Sequence, residues 1–306
     1  MTPVKLGLVG IGKIARDQHI PAIYDEEQIR LVATASHHGC IEGVPAFDEL
    51  EEMIAACGPD AISLCTPPNA RFFHAMTAIR ARAHVMLEKP PAATLSHVDL
   101  LVRAANEAGV TLFTAWHSRE AAAVDAAREW LLDKEVRAVR IDWREDIRQW
   151  HPGQEWILGP GGFGVFDPGI NALSIATHIL PDDLLVEQGQ LDFPENRASP
   201  IAARLTMRCG RAGVEVHLDF LQTGPQTWSI EVDTDAGTLR LSMGGRVLHL
   251  PGEAPRETPD EEYSRLYSRF IKLIAERKSD VDVRPLRLVA DAFSIADRRR
   301  VAPFSF

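Results

Sequence analysis

Cysteine is scarce in this chain, with four among 306 residues. Cys40, Cys57, Cys65 and Cys209 form no Cys-x-x-Cys pair and no Cys/His spacing that suits a metal. A disulfide scaffold and a bound metal are therefore not expected, and isolated buried thiols in a reducing compartment are. Long apolar runs are missing too. No segment approaches the ~18–20 apolar residues needed to cross a bilayer. The N-terminus lacks a basic region followed by an unbroken apolar stretch, so no signal peptide is expected and the cytoplasm is the expected location. Positive charge is in deficit. Lys and Arg number 33 against 43 Asp and Glu, for a formal net charge of −10. Such a chain repels nucleic acid and anionic membrane surfaces, which excludes both as bulk partners. The run Arg298-Arg299-Arg300 is the contrary feature. It reads as the solvated end of a last helix, where cations suit the helix dipole.

What is present begins at Leu6. The segment Leu6-Gly7-Leu8-Val9-Gly10-Ile11-Gly12-Lys13-Ile14-Ala15 joins a short apolar run to the pattern G-x-G-x-x-A. The run reads as a buried parallel strand. Gly10 permits a tight turn, Gly12 lets backbone N–H groups approach a pyrophosphate, and Ala15 lets the next helix pack close to the strand. The positive end of that helix then points at the phosphates. A dinucleotide site is expected at Gly10, Gly12, Lys13 and Ile14.

The first third alternates strand and helix. Strands are expected at 4–9, 29–35, 60–65, 84–87 and 110–115. Helices are expected from Lys13 to before Gln28, from Asp48 to about Cys57, from Asn69 to about Arg82, and from Ser96 to Ala108. Asp48 with Glu51 forms a capping box, Asn69 and Ser96 are N-caps, and Gly109 stops the fourth helix. Alternation of this kind implies a parallel, doubly wound sheet. After Trp116 the pattern changes. Ser118 caps an alanine-rich helix to about Leu132, a strand covers 136–143, a Gly/Pro/Trp-rich loop covers 144–166, and Asp167 opens a helix to about Leu180. Strands then follow directly at 184–191, 201–207, 214–221, 227–232, 238–242 and 246–250, which means an antiparallel sheet. Helices at about 260–277 and 286–300 close the chain.

The expected fold is α/β. A Rossmann domain covers 1–118, and an α+β domain with a large, mostly antiparallel, open-faced sheet covers 119–306, with the last helix packing back on the first domain. The length also favours two domains. A one-sided apolar sheet must be covered, so a second copy is expected against it, making a homodimer or larger homo-oligomer.

Ligands of open α/β sheets bind beyond the carboxyl ends of the strands. Thr66, Pro67 and Pro68 follow one strand there and are expected along the cofactor. Glu88-Lys89-Pro90 follows the next, and it points an ammonium toward a nicotinamide ring. Pro90 removes a donor and biases Lys89 away from helical geometry. A lone Lys in a turn is ordinarily a surface residue, but the upstream glycine motif reverses that reading. In Gly161-Gly162-Phe163-Gly164-Val165-Phe166-Asp167-Pro168-Gly169-Ile170-Asn171, Asp167 and Asn171 are four apart and share a helix face. An Asp here is most often an N-cap. Pro168 in the first turn, and a glycine loop that admits another chain segment or a ligand, argue for a site. The end of the second strand reads Thr34-Ala35-Ser36-His37-His38-Gly39, with no acid to hold a ribose 2′-hydroxyl. Ser36 donates to a phosphate and His37 or His38 carries partial positive charge. NADP is therefore favoured over NAD, with modest selection because no Arg is present in that segment.

Gly10-x-Gly12-x-x-Ala15, Thr66-Pro67-Pro68, Glu88-Lys89-Pro90 and Gly161-Gly162…Asp167-x-Gly169-x-Asn171 together resemble the glucose–fructose oxidoreductase/inositol dehydrogenase (Gfo/Idh/MocA) family over nearly the whole chain. Within it, Gly10 to His19, Cys65-Thr66-Pro67-Pro68, Trp116-His117-Ser118-Arg119 and Trp150-His151-Pro152-Gly153-Gln154 are similar to bacterial enzymes that oxidise D-galactose and L-arabinose at C1. The resemblance implies an NAD(P)-dependent sugar dehydrogenase that yields an aldonolactone. Much of the family carries Asp-x-Gly-x-His, with the His as base. Here Asn171 stands instead, and a carboxamide takes no proton at neutral pH. An anomeric hydroxyl is more acidic than an ordinary alcohol, so a weaker base serves.

The catalytic set implied is Lys89, Asp167 and Asn171. Asp167 accepts the O1 proton or shares it with Lys89, Lys89 polarises O1 and keeps Asp167 ionised, and Asn171 orients the sugar. His117, Glu145, Trp150 and Trp156 join Asp167 and Asn171 as candidate sugar contacts, although a single His or Trp is usually packing. His178, two turns beyond Asn171, is a reserve base with packing as its commoner role. Two alternatives stand beside this reading. Another dehydrogenase of the scaffold, acting on an inositol or a dihydrodiol, is opposed by Asn171 and by the segment 116–119. A dinucleotide-binding regulator without turnover is opposed by the retention of Lys89 and Asp167.

Overall fold

The computed structural model describes residues 2–306. β1 (Val4–Val9) is fully buried from Leu6 onward, as a central parallel strand must be. A helical stretch opens at Lys13, passes through a π-helical turn at Ala15–His19 and continues as α1 (Ile20–Asp25). There follow β2 (Ile29–Ala35), β3 (Ala46–Phe47), α2 (Leu50–Cys57), β4 (Ala61–Leu64), α3 (Pro68–Arg80), β5 (His84–Glu88), α4 (Leu95–Ala108) and β6 (Leu112–Ala115). A 3-10 turn at His117–Glu120 leads to α5 (Ala122–Leu131), β7 (Val136–Arg144), α6 (Ile147–Trp150) and α7 (Phe166–Ile179). Next come β8 (Leu184–Pro194), β9 (Ala202–Cys209), β10 (Ala212–Asp219), β11 (Thr227–Thr234), β12 (Gly237–Ser242), β13 (Val247–His249) and β14 (Arg256–Glu257). The chain ends with α8 (Glu262–Glu276), α9 (Arg284–Ile295) and β15 (Asp297–Val301).

The chain divides into two compact units, Met1–His117 with Glu262–Val283, and Ser118–Glu261 with Arg284–Phe306. In the first unit six parallel strands run in the order β3-β2-β1-β4-β5-β6. The strand order reverses at β1, running outward to β2 on one side and to β4 on the other, which puts the ligand crevice of a doubly wound sheet beyond the ends of β1 and β4. One side of the sheet holds Leu64, Val85 and Leu87 with Leu101 of α4 and Ile79 of α3. The other side holds Leu8, Met86 and Phe113 with Leu266, Tyr267 and Phe270 of α8, all three of them 0% exposed. Each such side chain contributes on the order of 2 kcal/mol by leaving water.

The second unit carries nine strands in the order β14-β13-β12-β11-β7-β10-β9-β8-β15. Pairing is antiparallel except for β7 with β10 and β8 with β15. Alternation is clean in β9 and β10. Ala203, Leu205, Met207, Val214, Val216 and Leu218 are buried, while Arg204, Arg208 and Glu215 are exposed. The outward face is charged rather than apolar. Arg140 faces Glu215 at 3.8 Å, His217 faces Asp142 at 3.5 Å and Arg240 faces Glu231 at 3.5 Å. The apolar side lies against α7, so the expected exposed apolar sheet is not what the outer face presents.

Several expected helix ends are corrected. α2 starts one residue after Glu49, with no side-chain cap from Asp48. α3 starts at Pro68, so Asn69 lies inside its first turn, and its Oδ1 accepts from the Ala70 N–H at 2.9 Å. Thr94, not Ser96, caps α4. Its extended backbone (φ −140°, ψ 155°) lets its hydroxyl accept from the His97 N–H at 3.2 Å. Ser118 sits in the 3-10 turn before α5, and Val165 rather than Asp167 precedes α7. Arg298-Arg299-Arg300 is not a helix end. α9 stops at Ile295, and these residues form the edge strand β15, where Arg299 donates twice to Asp192 at 2.9 and 2.6 Å. Charge on an edge strand discourages pairing with another chain. All four cysteines are free thiols, but only Cys209 is buried, and Cys40 is exposed.

Candidate active site

In the first unit the glycine turn gathers three strand ends. Gly10 has φ +87°, and its N–H donates to the Ala35 carbonyl at 2.9 Å. A Cβ there would lie 3.1–3.2 Å from Thr66 Cγ2, Thr66 N and the Cys65 carbonyl carbon, so β1 and the loop after β4 meet only because Gly10 has no side chain. A Cβ at Gly12 would meet nothing within 4 Å. Open space lies over the turn at the start of the first helix, where backbone N–H groups and the helix dipole favour an anion. The residues present therefore fit a dinucleotide pyrophosphate. Lys13 and Ile14 are exposed beside this space, and Lys13 pairs with Asp17 one turn on. Pro67 precedes α3 and Pro68 is its first residue, while Thr66 Oγ1 lies 3.3 Å from His74 Nδ1. After β2, the Ser36 hydroxyl accepts from the Ile11 N–H and the His38 N–H, both at 3.1 Å. His37 is largely exposed, with Nε2 3.7 Å from a Glu49 carboxylate oxygen.

The end of β5 is fixed by a buried polar network. Glu88 is 4% exposed. Its Oε2 accepts from the Lys89 N–H at 2.7 Å, and its Oε1 accepts from the Tyr263 hydroxyl at 2.7 Å and from His19 Nε2 at 3.2 Å. His19 Nδ1 lies 2.8 Å from the Tyr267 hydroxyl, which donates to Ser63 Oγ at 3.1 Å. Burial works to raise the Glu88 pKa, but the hydrogen bond and charge of His19 outweigh it and hold the carboxyl at about 2. Burial works to lower the His19 pKa, yet Cys65, Tyr267 and Glu88 hold it well above the usual imidazole value. The pair is thus an imidazolium and a carboxylate. The peptide bond from Lys89 to Pro90 is cis. Arg71, 3% exposed on α3, donates to the carbonyls of Glu88 at 2.6 Å, Pro90 and Thr66. One guanidinium therefore ties together the two segments that carry Thr66-Pro67-Pro68 and Glu88-Lys89-Pro90. His117 Nδ1 pairs with Glu262 at 2.5 Å, and its ring stacks on Tyr263 with centroids 5.4 Å apart.

Sequence reasoning missed Arg71, His19, Tyr263 and Tyr267. His19 ends the segment that starts with the glycine motif, yet it shows no chemical spacing of its own. Arg71 offered one signal, a cation one turn into the helix that the double proline starts.

In the second unit Asp167 and Asn171 lie one turn apart at the start of α7, with Asp167 buried at 5% exposure and Asn171 half-buried. The glycine loop before them admits the chain's own segments. A Cβ at Gly164 (φ +56°) would lie 2.2 Å from the Pro200 carbonyl oxygen, and the next residue, Val165, donates to that oxygen at 2.7 Å. A Cβ at Gly169 would lie 2.6 Å from Leu218 Cδ1, so this glycine lets α7 settle on β10. Glu145, 2% exposed, accepts from Trp228 Nε1 at 2.8 Å and pairs with His151 Nε2 at 3.0 Å. The Trp228 ring in turn lies 4.7 Å from Trp150 and 6.0 Å from Trp143, centroid to centroid. Glu145 and Trp150 are thus brought together through Trp228. Trp156, on the 3-10 turn Glu155–Ile157, is outside that stack. His178 Nδ1 accepts from Arg119 at 3.2 Å, and Nε2 lies 3.7 Å from Asp125. Burial first, and then the charges of Arg119 and Arg128, push its pKa down to about 4. Both of its ring nitrogens are engaged, by Arg119 and Asp125, which is the packing role and not that of a reserve base.

Residues 4–116 match the model of an oxidoreductase family with an NAD-binding Rossmann fold, Gfo/Idh/MocA. Galactose 1-dehydrogenase of Pseudomonas fluorescens is 45% identical over 99% of this chain and 99% of its own length. The crystal structure of D-galactose-1-dehydrogenase from Rhizobium etli is 48% identical, covers 100% of this chain and 99% of its own, and superimposes with a TM-score of 0.93. A 3-ketoreductase from Actinomadura kijaniata, crystallised with NADP and TDP-benzene, shares the fold with a TM-score of 0.84 at 16% identity, over 98% of this chain and 100% of its own.

Proposed function

The chain belongs to the Gfo/Idh/MocA oxidoreductase family, and from that premise we propose that it is an NAD(P)-dependent aldose 1-dehydrogenase, converting D-galactose and L-arabinose to their aldonolactones. The whole-length identity of 45% to the Pseudomonas enzyme carries this reading. With its pyrophosphate held at the glycine turn, a bound dinucleotide would supply, through its nicotinamide, the acceptor for the hydride that leaves C1.

The chain's own residues handle the proton and the pose. Asp167, on a rigid and almost wholly buried helix, takes the proton from O1 as the C1–O1 bond gains double-bond character. Lys89 donates to O1 and draws electron density from it. Its backbone is anchored by Glu88, and Glu88 by His19, Tyr263 and Arg71, so the ammonium leaves from a fixed point. Asn171 hydrogen-bonds the sugar one turn beyond the base. Trp150 offers an aromatic face to sugar C–H groups. Glu145 sets that face by holding Trp228. His117, oriented by Glu262, and Trp156 complete the set assigned to the sugar.

NADP is the favoured dinucleotide in this reading, because Ser36 uses its lone pairs on two backbone N–H groups and keeps its hydroxyl hydrogen to give away. A homo-oligomer stays in this reading as an expectation from the sequence; the outer sheet face is charged, with its ion pairs made within the chain, and light scattering reads the oligomeric state. Initial rates over D-galactose, L-arabinose, D-fucose and myo-inositol, each with NADP and NAD, test the function. Lactone formed from the first three supports it, and turnover of inositol alone overturns it.

A further inference from the structure

The loop after β2 contains no arginine, yet the fold brings one to it. A Cβ at Gly39 would lie 2.4 Å from Arg16 Nη2 and 3.6 Å from its Cζ. The guanidinium of Arg16, which projects from the π-helical turn of the first helix, therefore occupies the place where any other residue at position 39 would carry its side chain. The same loop presents Ser36, whose hydroxyl is held by the N–H groups of Ile11 and His38 and retains its own hydrogen. Lys13 takes Asp17, the acid on the same helix, and among the described residues no carboxylate lies within ion-pair distance of Arg16. Glu49 is the anion beside this loop, 3.7 Å from His37.

We infer that Arg16, with Ser36, forms the seat of the 2′-phosphate of NADP, so that the cation selecting this cofactor comes from the first helix and not from the strand-end loop. A planar guanidinium meets a phosphate through paired, charge-assisted hydrogen bonds, whereas a 2′-hydroxyl offers it one neutral acceptor. Gly39 leaves the guanidinium room above the loop, and its φ of +144° is one that residues with a side chain rarely adopt. The inference rests on the dinucleotide reading of the glycine turn and says how that site tells two dinucleotides apart.

The test needs no sugar. Titration calorimetry with NADP, NAD and 2′,5′-ADP on the full chain reads binding directly. Arg16→Gln is expected to weaken NADP and 2′,5′-ADP by about 10- to 100-fold, in line with loss of charge-assisted bonds, and NAD by no more than about threefold. Arg16→Lys should recover part of the loss, because charge returns without the planar fork. Glu49→Gln should act in the opposite direction and tighten NADP alone. If Arg16→Gln weakens NADP and NAD equally, or if the unmodified chain prefers NAD, the assignment of Arg16 is overturned while the dinucleotide site stands. If the unmodified chain binds neither dinucleotide, the reading of the glycine turn falls and takes this inference with it.

Discussion

Tyr263 donates its phenolic hydrogen to Glu88 Oε1 at 2.7 Å, joining residues 175 apart in the chain. The same oxygen faces His19, so one buried carboxylate gathers three separate segments on the residue before Lys89. A charge this deep persists only because its partners are also buried and fixed.

Stability should accordingly fall at both ends of the pH scale. The Glu88 carboxyl is held at about 2, below its ordinary 4.5, so its contribution is whole above pH 4.5 and is lost as pH drops toward 2. His19 is held well above 6.5, so its contribution is whole below pH 6.5 and is lost as pH rises through the raised value. His19→Gln leaves Glu88 buried without its opposite charge, at about 3–5 kcal/mol. Urea unfolding of both proteins across pH checks this. An alkaline decline that persists unaltered in the variant would relieve His19 of the role.

Gly164→Ala puts a methyl group where the Pro200 carbonyl oxygen stands, in a backbone conformation of positive φ. The expected cost is about 1–3 kcal/mol, with kcat falling as the first turn of α7 shifts. An unchanged thermal midpoint would show that the loop has more room than the structure gives it.

Asp167→Asn keeps the size of the side chain and removes its ability to take a proton. kcat should drop by at least ~10²-fold, while dinucleotide affinity, read by fluorescence titration, stays within error of the unmodified protein. Turnover close to the original would remove Asp167 from the proton path.

Ser36→Asp sets a carboxylate against a 2′-phosphate and offers a ribose diol a better acceptor. The ratio of kcat/KM for NADP over NAD should fall by about tenfold or more, as expected for a like-charge contact near a protein surface. A constant ratio would place the adenosine ribose elsewhere.

Much of the architecture was legible from periodicity. The bounds of β1 and β2 and the αL stop at Gly109 follow from apolar runs and a glycine with φ +68°. Caps were less legible, because Thr94 and Ser96 offer the same hydroxyl and only the backbone decides which is extended. The arginine run at 298–300 reads as a helix end until β8 supplies a partner strand, a contact made across a hundred residues. Of the proposed catalytic set, Lys89, Asp167 and Asn171 each stand out by motif. The residues that hold the Lys89 segment do not. Arg71, His19 and Tyr263 act through distance in the fold, and a single sequence carries no mark of which distant groups will meet.

The discontinuity of the first unit bears on how the molecule is made. Because Glu262–Val283 completes Met1–His117, the nascent polypeptide leaves the ribosome with one flank of its six-stranded sheet bare. Leu8, Met86 and Phe113 await Leu266, Tyr267 and Phe270 until all of Ser118–Glu261 has been translated, on the order of 10 s at typical elongation rates. Shortening the gene at codon 261 would yield no independent dinucleotide module, only a sheet lacking its closing helix.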